Sequence, residues 1–230
     1  MKSKLISPST PLGKQIECLT MTKYYFEENN INSDKEKLLA DCSSFKETPI
    51  QFMEQVHGNR INLVSEYKSS SVAGTDGLIS DKSNLALAVL TADCLPVAIS
   101  RTDGSLFGVV HAGWRGLLNG ILEISIKKIA KADLGLSAWI GPSITSRNYE
   151  VGKEVYDSFK KKDEESELSF EKIKSDKWLF SLQTEAKRVM EKRNVEVEDS
   201  AICSFESSSL FSYRRNETNN RMITIIWRKI

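Results

Sequence analysis

Thr91-Ala92-Asp93-Cys94-Leu95-Pro96 and His111-Ala112-Gly113-Trp114-Arg115-Gly116 are two short motifs that each follow a nearly unbroken apolar segment. The first motif follows residues 85–90, and the second follows residues 106–110. Such apolar runs are typical of strands that are covered on both faces of a sheet. We therefore expect two buried strands, one ending near a thiol and the other ending at an imidazole. A functional site is predicted where these strand ends meet.

The remaining chain predicts short strands and a few helices without a strict strand–helix–strand alternation. Strands are predicted over residues 16–25, 49–56, 60–67, 78–80, 137–140, 201–205 and 222–227. Helices are predicted over residues 34–43, 117–130, 150–162 and 176–193, with Asp176 as the cap of the last, and residues 160–167 are expected to be a solvated loop. This pattern indicates an α+β fold with mixed sheets. No domain boundary is evident, so residues 1–230 are expected to form a single domain.

Composition restricts the class of protein. The 230 residues carry 32 Lys and Arg against 31 Asp and Glu, mixed along the chain, whereas a nucleic-acid partner requires a basic excess or stripe. No apolar stretch has the length of a membrane span or of a secretory signal. The four cysteines are too irregularly spaced for a disulfide framework. We expect a cytoplasmic protein that acts on a small molecule, with no nucleic-acid or membrane partner, as a monomer or a small homo-oligomer.

His57 and His111 are the two histidines of the chain, and, like Cys94, each follows a predicted strand. Two imidazoles and one thiolate are the ligand set of a catalytic zinc site with an open fourth position. Their spacing matches no zinc-finger pattern, which leaves other interpretations open. Cys94 is equally well explained as a small buried apolar residue, with one histidine in a turn and the other in the core. A third interpretation makes Cys94 a nucleophile and one histidine its base.

Cationic side chains near these residues are candidates for substrate binding. Arg115 lies beside a predicted helix start and could hold an anion such as phosphate. Tyr213, Arg214 and Arg215 could clamp an anion or stack on a base. A turn-stabilising role for Arg115 and a polar strand end at residues 213–215 explain the same pattern.

Asp76 and Asp93 are the carboxylates nearest to the predicted site in sequence. Either could orient a histidine or act as a general base. A buried structural carboxylate is an equally good explanation for each of them.

Seven motifs together resemble the bacterial YfiH/YlmD family, which is also called purine nucleoside phosphorylase, polyphenol oxidase (laccase domain) or peptidoglycan editing factor. Besides the two motifs quoted first, they are Gln55-Val56-His57-Gly58, Gly74-Thr75-Asp76-Gly77-Leu78, Ile140-Gly141-Pro142, Tyr149-Glu150-Val151-Gly152 and Phe211-Ser212-Tyr213-Arg214-Arg215. The resemblance covers roughly residues 49–230, and several motifs in one order make chance improbable. It implies a sandwich-like fold of mixed sheets flanked by helices, related to cysteine-hydrolase-like deamidase toxins.

By the same resemblance, His57, Cys94 and His111 match the family's zinc ligands. Three departures leave these ligands intact but bear on the choice of substrate. The chain lacks an Arg-Gly-Gly-Val-Ser stretch in its short segment 21–45, Ser143 stands where many members have Cys, and residues 216–220 replace a glycine-containing turn.

The resemblance implies several activities. The first is zinc-dependent phosphorolysis of adenosine, inosine or methylthioadenosine together with deamination of adenosine; deamination suits metal-activated water assisted by a carboxylate. The second is a zinc amidase that edits peptidoglycan precursors such as UDP-MurNAc-L-serine. Copper polyphenol oxidation is disfavoured, because multicopper sites need more imidazoles than two histidines supply. A non-enzymatic zinc-binding protein is disfavoured by the open three-ligand site.

Overall fold

The computed structural model describes residues 3–229. Its strands are β1 (Leu5–Ile6), β2 (Ile16–Met21), β3 (Ser44–Phe45), β4 (Thr48–Gln51), β5 (Ile61–Leu63), β6 (Gly77–Ser80), β7 (Ala86–Thr91), β8 (Leu95–Arg101), β9 (Phe107–Ala112), β10 (Leu136–Ile140), β11 (Glu150–Gly152), β12 (Phe170–Lys174), β13 (Lys177–Phe180), β14 (Val195–Asp199) and β15 (Met222–Arg228). Its α-helices are α1 (Lys23–Glu28), α2 (Leu38–Asp41), α3 (Trp114–Leu118), α4 (Ile121–Ile129), α5 (Lys153–Lys162), α6 (Leu182–Glu191) and α7 (Tyr213–Asn216), and two 3₁₀ helices span Ser146–Asn148 and Glu164–Ser169.

Two large sheets and one small sheet organise these elements. The first sheet has the order β1-β2-β15-β7-β4-β3, the second has the order β14-β10-β8-β9-β6-β5, and the small sheet has the order β11-β13-β12. The pairs β4–β7, β5–β6 and β10–β14 are parallel, and the other pairs are antiparallel. The predicted α+β fold with mixed sheets is confirmed.

The two large sheets pack face to face, with helices on both outer faces. Leu87 and Val89 of β7 pack against Phe107 and Val109 of β9 in the core between the sheets. The alternate residues of β7 face a second core under α1 and α2, and those of β9 face a third core under α4 and α6. Both strands are buried at every position, as predicted. Truncation of a side chain such as Leu87, which is 0% exposed, is expected to cost roughly 2–5 kcal/mol.

Three connections cross between the large sheets on the side where the predicted site lies. Residues 52–60 lead from β4 to β5, residues 92–94 lead from β7 to β8, and residues 200–221 lead from β14 to β15. The strands predicted over residues 49–56 and 60–67 are shorter in the structure. They lie in different sheets, because β4 pairs in parallel with β7 and β5 pairs in parallel with β6.

Several predicted helices differ from the observed ones. The helix predicted over residues 117–130 is two helices, α3 and α4, separated at Gly120, whose φ of 79° is unfavourable for other residues. The helix predicted from Asp176 begins after Ser181, whose side chain accepts the Thr184 N–H. Residues 177–180 form β13 instead, since they pair with both neighbours in the small sheet.

Other boundaries changed in smaller ways. The strand predicted to residue 25 ends at Met21, the helix predicted over residues 34–43 is reduced to α2, and the helix predicted from residue 150 is preceded by β11. The predicted loop 160–167 contains the end of α5 and the start of a 3₁₀ helix. Residues 201–205 are not a strand; the strand is β14, which pairs in parallel with β10. Within residues 3–229, no helix has the length and hydrophobicity that crossing a membrane requires.

Candidate metal centre

His57, Cys94 and His111 meet at the base of a cleft between the connections described above. Each offers one donor atom, and the three donor atoms lie within 4.8 Å of one another. The two imidazole rings are 4.8 Å apart between centroids and nearly perpendicular, at 79°. His111 is buried, Cys94 is half-buried and His57 is exposed, so the group is open on one side. The structure therefore brings together the three residues that the sequence singled out.

Asp76 fixes the orientation of His111. Its Oδ1 lies 2.8 Å from Nδ1 of the imidazole, which leaves Nε2 to face the other two donors. The backbone N–H of His111 also donates to the carbonyl of Asp76 at 2.7 Å. The Asp76 side chain is 0% exposed, and the strand pairing of β6 with β9 places it opposite His111. Asp76 thus holds both the ring and the backbone of His111 in place.

The same carboxylate shapes the turn that carries His57. It accepts the backbone N–H groups of Val56 at 3.2 Å, His57 at 2.9 Å and Gly58 at 2.7 Å. His57 has a φ of 59°, a left-handed conformation that non-glycine residues adopt rarely. Burial would raise the pKa of Asp76, but the hydrogen bonds from His111 and from these amides lower it below its usual value. The carboxylate remains ionised and holds both histidines.

The Cys94 thiol is electrostatically suited to metal binding. Burial would raise its pKa, but the charge of His111 and the hydrogen bonds from both histidines lower it to about 6. Burial would lower the pKa of His111, but the Cys94 thiolate and the Asp76 hydrogen bond raise it to about 9. The pair therefore favours a thiolate beside an imidazolium, and a metal ion can displace the proton that they share.

Gly113 leaves room for this thiolate. A Cβ at residue 113 would lie 3.1 Å from Sγ of Cys94 and 3.4 Å from Cδ2 of His57. A side chain there would crowd the Cys94 sulfur and touch the His57 ring. The glycine between the end of β9 and the start of α3 is therefore explained by the close approach of Cys94.

Asp93 supports a different part of the site. Its φ of 98° turns the chain from β7 into β8. Its Oδ1 accepts the Ser204 hydroxyl at 2.7 Å, and its Oδ2 accepts the backbone N–H of Arg214 at 2.6 Å. The carboxylate thereby joins the Cys94 connection to residues 200–221. Among the described residues that line the cleft, Asp93 is the single carboxylate.

The cleft above the three donors has a volume of about 420 Å³. Most of its charged lining is cationic: Lys35, Arg115, Arg214 and Arg221. None of these four cations forms an ion pair with a carboxylate of residues 3–229. A cleft of this size and charge suits an anionic or partly anionic small molecule.

The predicted substrate residues fall into two groups. Tyr213, Arg214 and Arg115 line the cleft. The Arg115 guanidinium lies 4.5 Å over the Trp114 ring, and that of Arg214 lies 5.0 Å over the Tyr149 ring. Arg215 instead directs its guanidinium to the carbonyls of Ser204, Phe205, Ser207 and Leu210, at 2.7–3.1 Å. Arg215 holds a loop and is not one of the described residues that line the cleft.

Sequence reasoning missed Lys35, Tyr149 and Arg221, which also line the cleft. Tyr149 belonged to a recognisable motif but had no assigned role. Lys35 and Arg221 lie in segments without a motif, and no local pattern indicated that either would face the site. Thr91 was quoted within a motif, but its hydroxyl is notable only in the structure, where it is buried in the cleft wall without a hydrogen-bond partner among the described residues.

The three donors fit a metal ion. A tetrahedral ion bound to nitrogen at about 2.0 Å and sulfur at about 2.3 Å requires donors roughly 3.5 Å apart. The observed limit of 4.8 Å needs only a small contraction. Imidazole and thiolate are ligands that both zinc and copper accept.

Known sequences place the chain among related proteins. The family model described as multi-copper polyphenol oxidoreductase laccase matches residues 24–229. A purine nucleoside phosphorylase YfiH from Shigella flexneri is 32% identical to it over 244 aligned positions, which cover 98% of this chain and 99% of the relative. Purine nucleoside phosphorylase RC0672 from Rickettsia conorii is 38% identical over 164 positions, covering 70% of this chain and 68% of the relative.

Solved structures support the fold. The crystal structure of Neisseria meningitidis protein NMB0706 has a TM-score of 0.85 and 25% identity, and the match covers 99% of this chain and 100% of that chain. The crystal structure of YlmD from Geobacillus stearothermophilus has a TM-score of 0.79 and 22% identity, covering 100% of this chain and 98% of that chain.

Proposed function

Because the chain belongs to the laccase-domain family that includes YfiH and YlmD, we propose that it is a zinc-dependent purine nucleoside phosphorylase that also deaminates adenosine. The relatives named purine nucleoside phosphorylase motivate the first activity. The observation that supports the proposal most directly is the convergence of His57, Cys94 and His111 below a cationic cleft. The expected substrates are adenosine, inosine or methylthioadenosine, together with inorganic phosphate.

Zinc is the metal of this proposal. A zinc ion held by two imidazoles and one thiolate supplies a Lewis acid and an open coordination position. Multicopper oxidation would require further imidazole ligands, and the chain has two histidines in all. We therefore do not extend the oxidase activity in the family's descriptive name to this chain.

In phosphorolysis, a phosphate oxygen forms a bond to C1′ of the ribose while the bond from C1′ to the purine breaks. The electron pair leaves with the purine, which takes up a proton. We assign Arg115 to the phosphate, since its guanidinium lies on the Trp114 ring and has no carboxylate partner among the described residues. Tyr213 is 53% exposed at the cleft and offers a ring on which a purine can stack.

In deamination, water adds to C6 of adenine and the amino group leaves as ammonia. A proton must pass from the water to the departing nitrogen. We assign this transfer to Asp93, which lines the cleft beside Cys94 and is held in place by Ser204. Asp76 is buried and fully engaged by His111 and three amides, so its role is to position the histidines.

The decisive experiment incubates zinc-loaded protein with adenosine and phosphate and separates the products by chromatography. Adenine with ribose 1-phosphate is the expected product of adenosine phosphorolysis. Inosine is the expected product of deamination, and hypoxanthine is expected where that inosine is phosphorolysed in turn. Each activity should disappear after zinc removal and return when zinc is added. Absence of all these products from fully zinc-loaded protein would contradict the proposal.

A zinc amidase acting on UDP-MurNAc-L-serine is the second candidate. The cationic side chains that line the cleft beyond the three donors favour it, since such a precursor carries a pyrophosphate and carboxylates. A parallel incubation with this compound, assayed for free serine, separates the two functions. Serine release without nucleoside turnover would support the amidase instead.

A further inference from the structure

Lys35 and Arg221 are brought together by two segments that are far apart in sequence. The backbone N–H of Arg221 donates to the carbonyl of Ser33 at 2.9 Å, and that of Lys35 donates to the carbonyl of Asn219 at 3.1 Å. Asp34 and Asn220 form an antiparallel bridge between these hydrogen bonds. The bridge places both cations on the cleft that contains His57, Cys94 and His111.

The Arg221 guanidinium is anchored but only partly used. Its Nη1 donates to the carbonyls of Thr218 at 2.7 Å and Asn220 at 2.9 Å, whereas its Nε and Nη2 donate to no described residue. Arg221 is half-buried and has no carboxylate partner among residues 3–229. The cost of partly burying an unpaired guanidinium is consistent with a bound anion, because two N–H groups of a fixed fork can hold one oxyanion.

The surroundings of this pair favour an anion as well. The Lys35 ammonium has no hydrogen bond or ion pair within the described residues and lines the same cleft. Asp34 lies next to it in sequence, but its carboxylate accepts the Glu36 N–H and forms no ion pair with Arg221 in the part of the chain described. Thr91 also lines this cleft and is 2% exposed, and its hydroxyl has no hydrogen-bond partner among the described residues.

We propose that Lys35 and Arg221 form an anion-binding subsite that takes a phosphate-sized group in the same cleft as the metal ligands. The use of this anion in a reaction rests on the proposed function. The binding of the anion to Lys35 and Arg221 does not depend on turnover and can be measured separately. Two kinds of compound can supply this phosphate-sized anion. It is either free inorganic phosphate, which Lys35 and Arg221 would then hold together with Arg115 in the same cleft, or a phosphoryl group carried by the organic substrate.

The test measures binding to zinc-loaded protein by isothermal titration calorimetry, with inorganic phosphate and adenosine 5′-monophosphate as probes and adenosine as the uncharged reference. Arg221→Gln removes the charge and leaves a shorter side chain that is still polar. Lys35→Met is the second variant, and it breaks no contact seen in residues 3–229. Lys37→Met is the matched control, because Lys37 is an exposed neighbour that does not line the cleft.

Arg221→Gln should weaken binding of the probe that uses the subsite by about tenfold, and Lys35→Met should weaken it several-fold. Zinc content and adenosine binding should stay unchanged, and Lys37→Met should behave as the unmodified protein. Weaker phosphate binding identifies free phosphate as the occupant, whereas weaker binding of the monophosphate alone identifies a phosphorylated substrate.

The subsite is wrong if neither probe binds the unmodified protein, or if both variants bind the probes as tightly as Lys37→Met does. Its failure is distinguishable from failure of the phosphorylase proposal. If the unmodified protein binds phosphate but does not turn over nucleosides, the phosphorylase proposal is wrong and the subsite stands. If both variants turn over nucleosides with an unchanged KM for phosphate, free phosphate is not the occupant of the subsite and the phosphorylase proposal stands.

Discussion

Two walls of one cleft contrast in how they are built. The metal wall carries His57, Cys94 and His111, each held by buried neighbours or by a constrained turn. The cationic wall carries Lys35 and Arg221, which are held by one backbone bridge and are otherwise free of ionic partners in the described chain. The first wall is fixed by the ends of core strands and by hydrogen bonds to a buried carboxylate. The second lies where residues 33–35 pair with residues 219–221, directly before β15.

The difference indicates a division of labour. A metal ion tolerates little error in the position of its ligands, so its wall requires a second layer of hydrogen bonds. An anion held by long cationic side chains tolerates more variation, because charge acts over several ångströms. We expect changes on the metal wall to abolish all reactions and changes on the cationic wall to alter affinity for particular substrates.

Cys94→Ala should have the largest effect, since it removes one of three donors. Bound zinc, measured by elemental analysis after dialysis, should fall from about one equivalent to a small fraction, and both proposed reactions should be lost. Cys42→Ala is the matched control. Burial raises the pKa of Cys42 to about 11, and this thiol lies in the core under α2, away from the cleft. Full zinc content in Cys94→Ala would refute the metal site.

Asp76→Asn should have an intermediate effect. All three donors remain, but the amide cannot accept from His111 and from three backbone N–H groups as the carboxylate does. We expect zinc affinity to fall by about 10–100-fold, measured by competition with a chelator. Asp103→Asn is the control, since Asp103 is an exposed turn residue that accepts the Ser105 N–H and does not line the cleft. Equal zinc affinity in both variants would mean that Asp76 does not support the metal wall.

Arg215→Ala should have the smallest effect and sharpen the comparison between adjacent cations. Loss of four contacts to loop carbonyls should lower the free energy of unfolding by about 1–2 kcal/mol, measured by urea denaturation. Its KM values should stay near those of the unmodified protein. Arg214→Ala is the counterpart and should raise KM with little loss of stability, because its guanidinium lies over Tyr149 in the cleft. If Arg215→Ala raised KM and Arg214→Ala lowered stability, Arg215 would be the substrate residue and Arg214 the loop-holding residue.

The metal wall was predictable because its information is local. The apolar runs before Cys94 and His111 indicate buried strands, and reactive residues at strand ends are visible without a fold. His57 also follows a predicted strand, and the resemblance to a family then favoured the metal interpretation of all three residues. The burial of Asp76 and its bonds to both histidine segments required the structure, since nothing in residues 74–78 shows which strand lies opposite.

The cationic wall was not predictable because its information is not local. Lys35 and Arg221 are separated by most of the chain and meet through two backbone hydrogen bonds that form one antiparallel bridge. Backbone hydrogen bonds of this kind do not depend on side-chain type, so the order of residues does not reveal them. The misplaced strand at residues 201–205 has a similar cause, since an apolar stretch there serves a loop anchored by Arg215 and by Ser204. The relation to deamidase toxins stays a prediction.

His57 and Cys94 lie on separate connections that lead from the first large sheet to the second, and His111 belongs to the second sheet. A bound ion would therefore act as a reversible cross-link across the whole sandwich. Its binding energy would add to the stability of the folded state in proportion to the logarithm of free zinc concentration. Metal supply in the cell would then govern the lifetime of this protein as well as its chemistry.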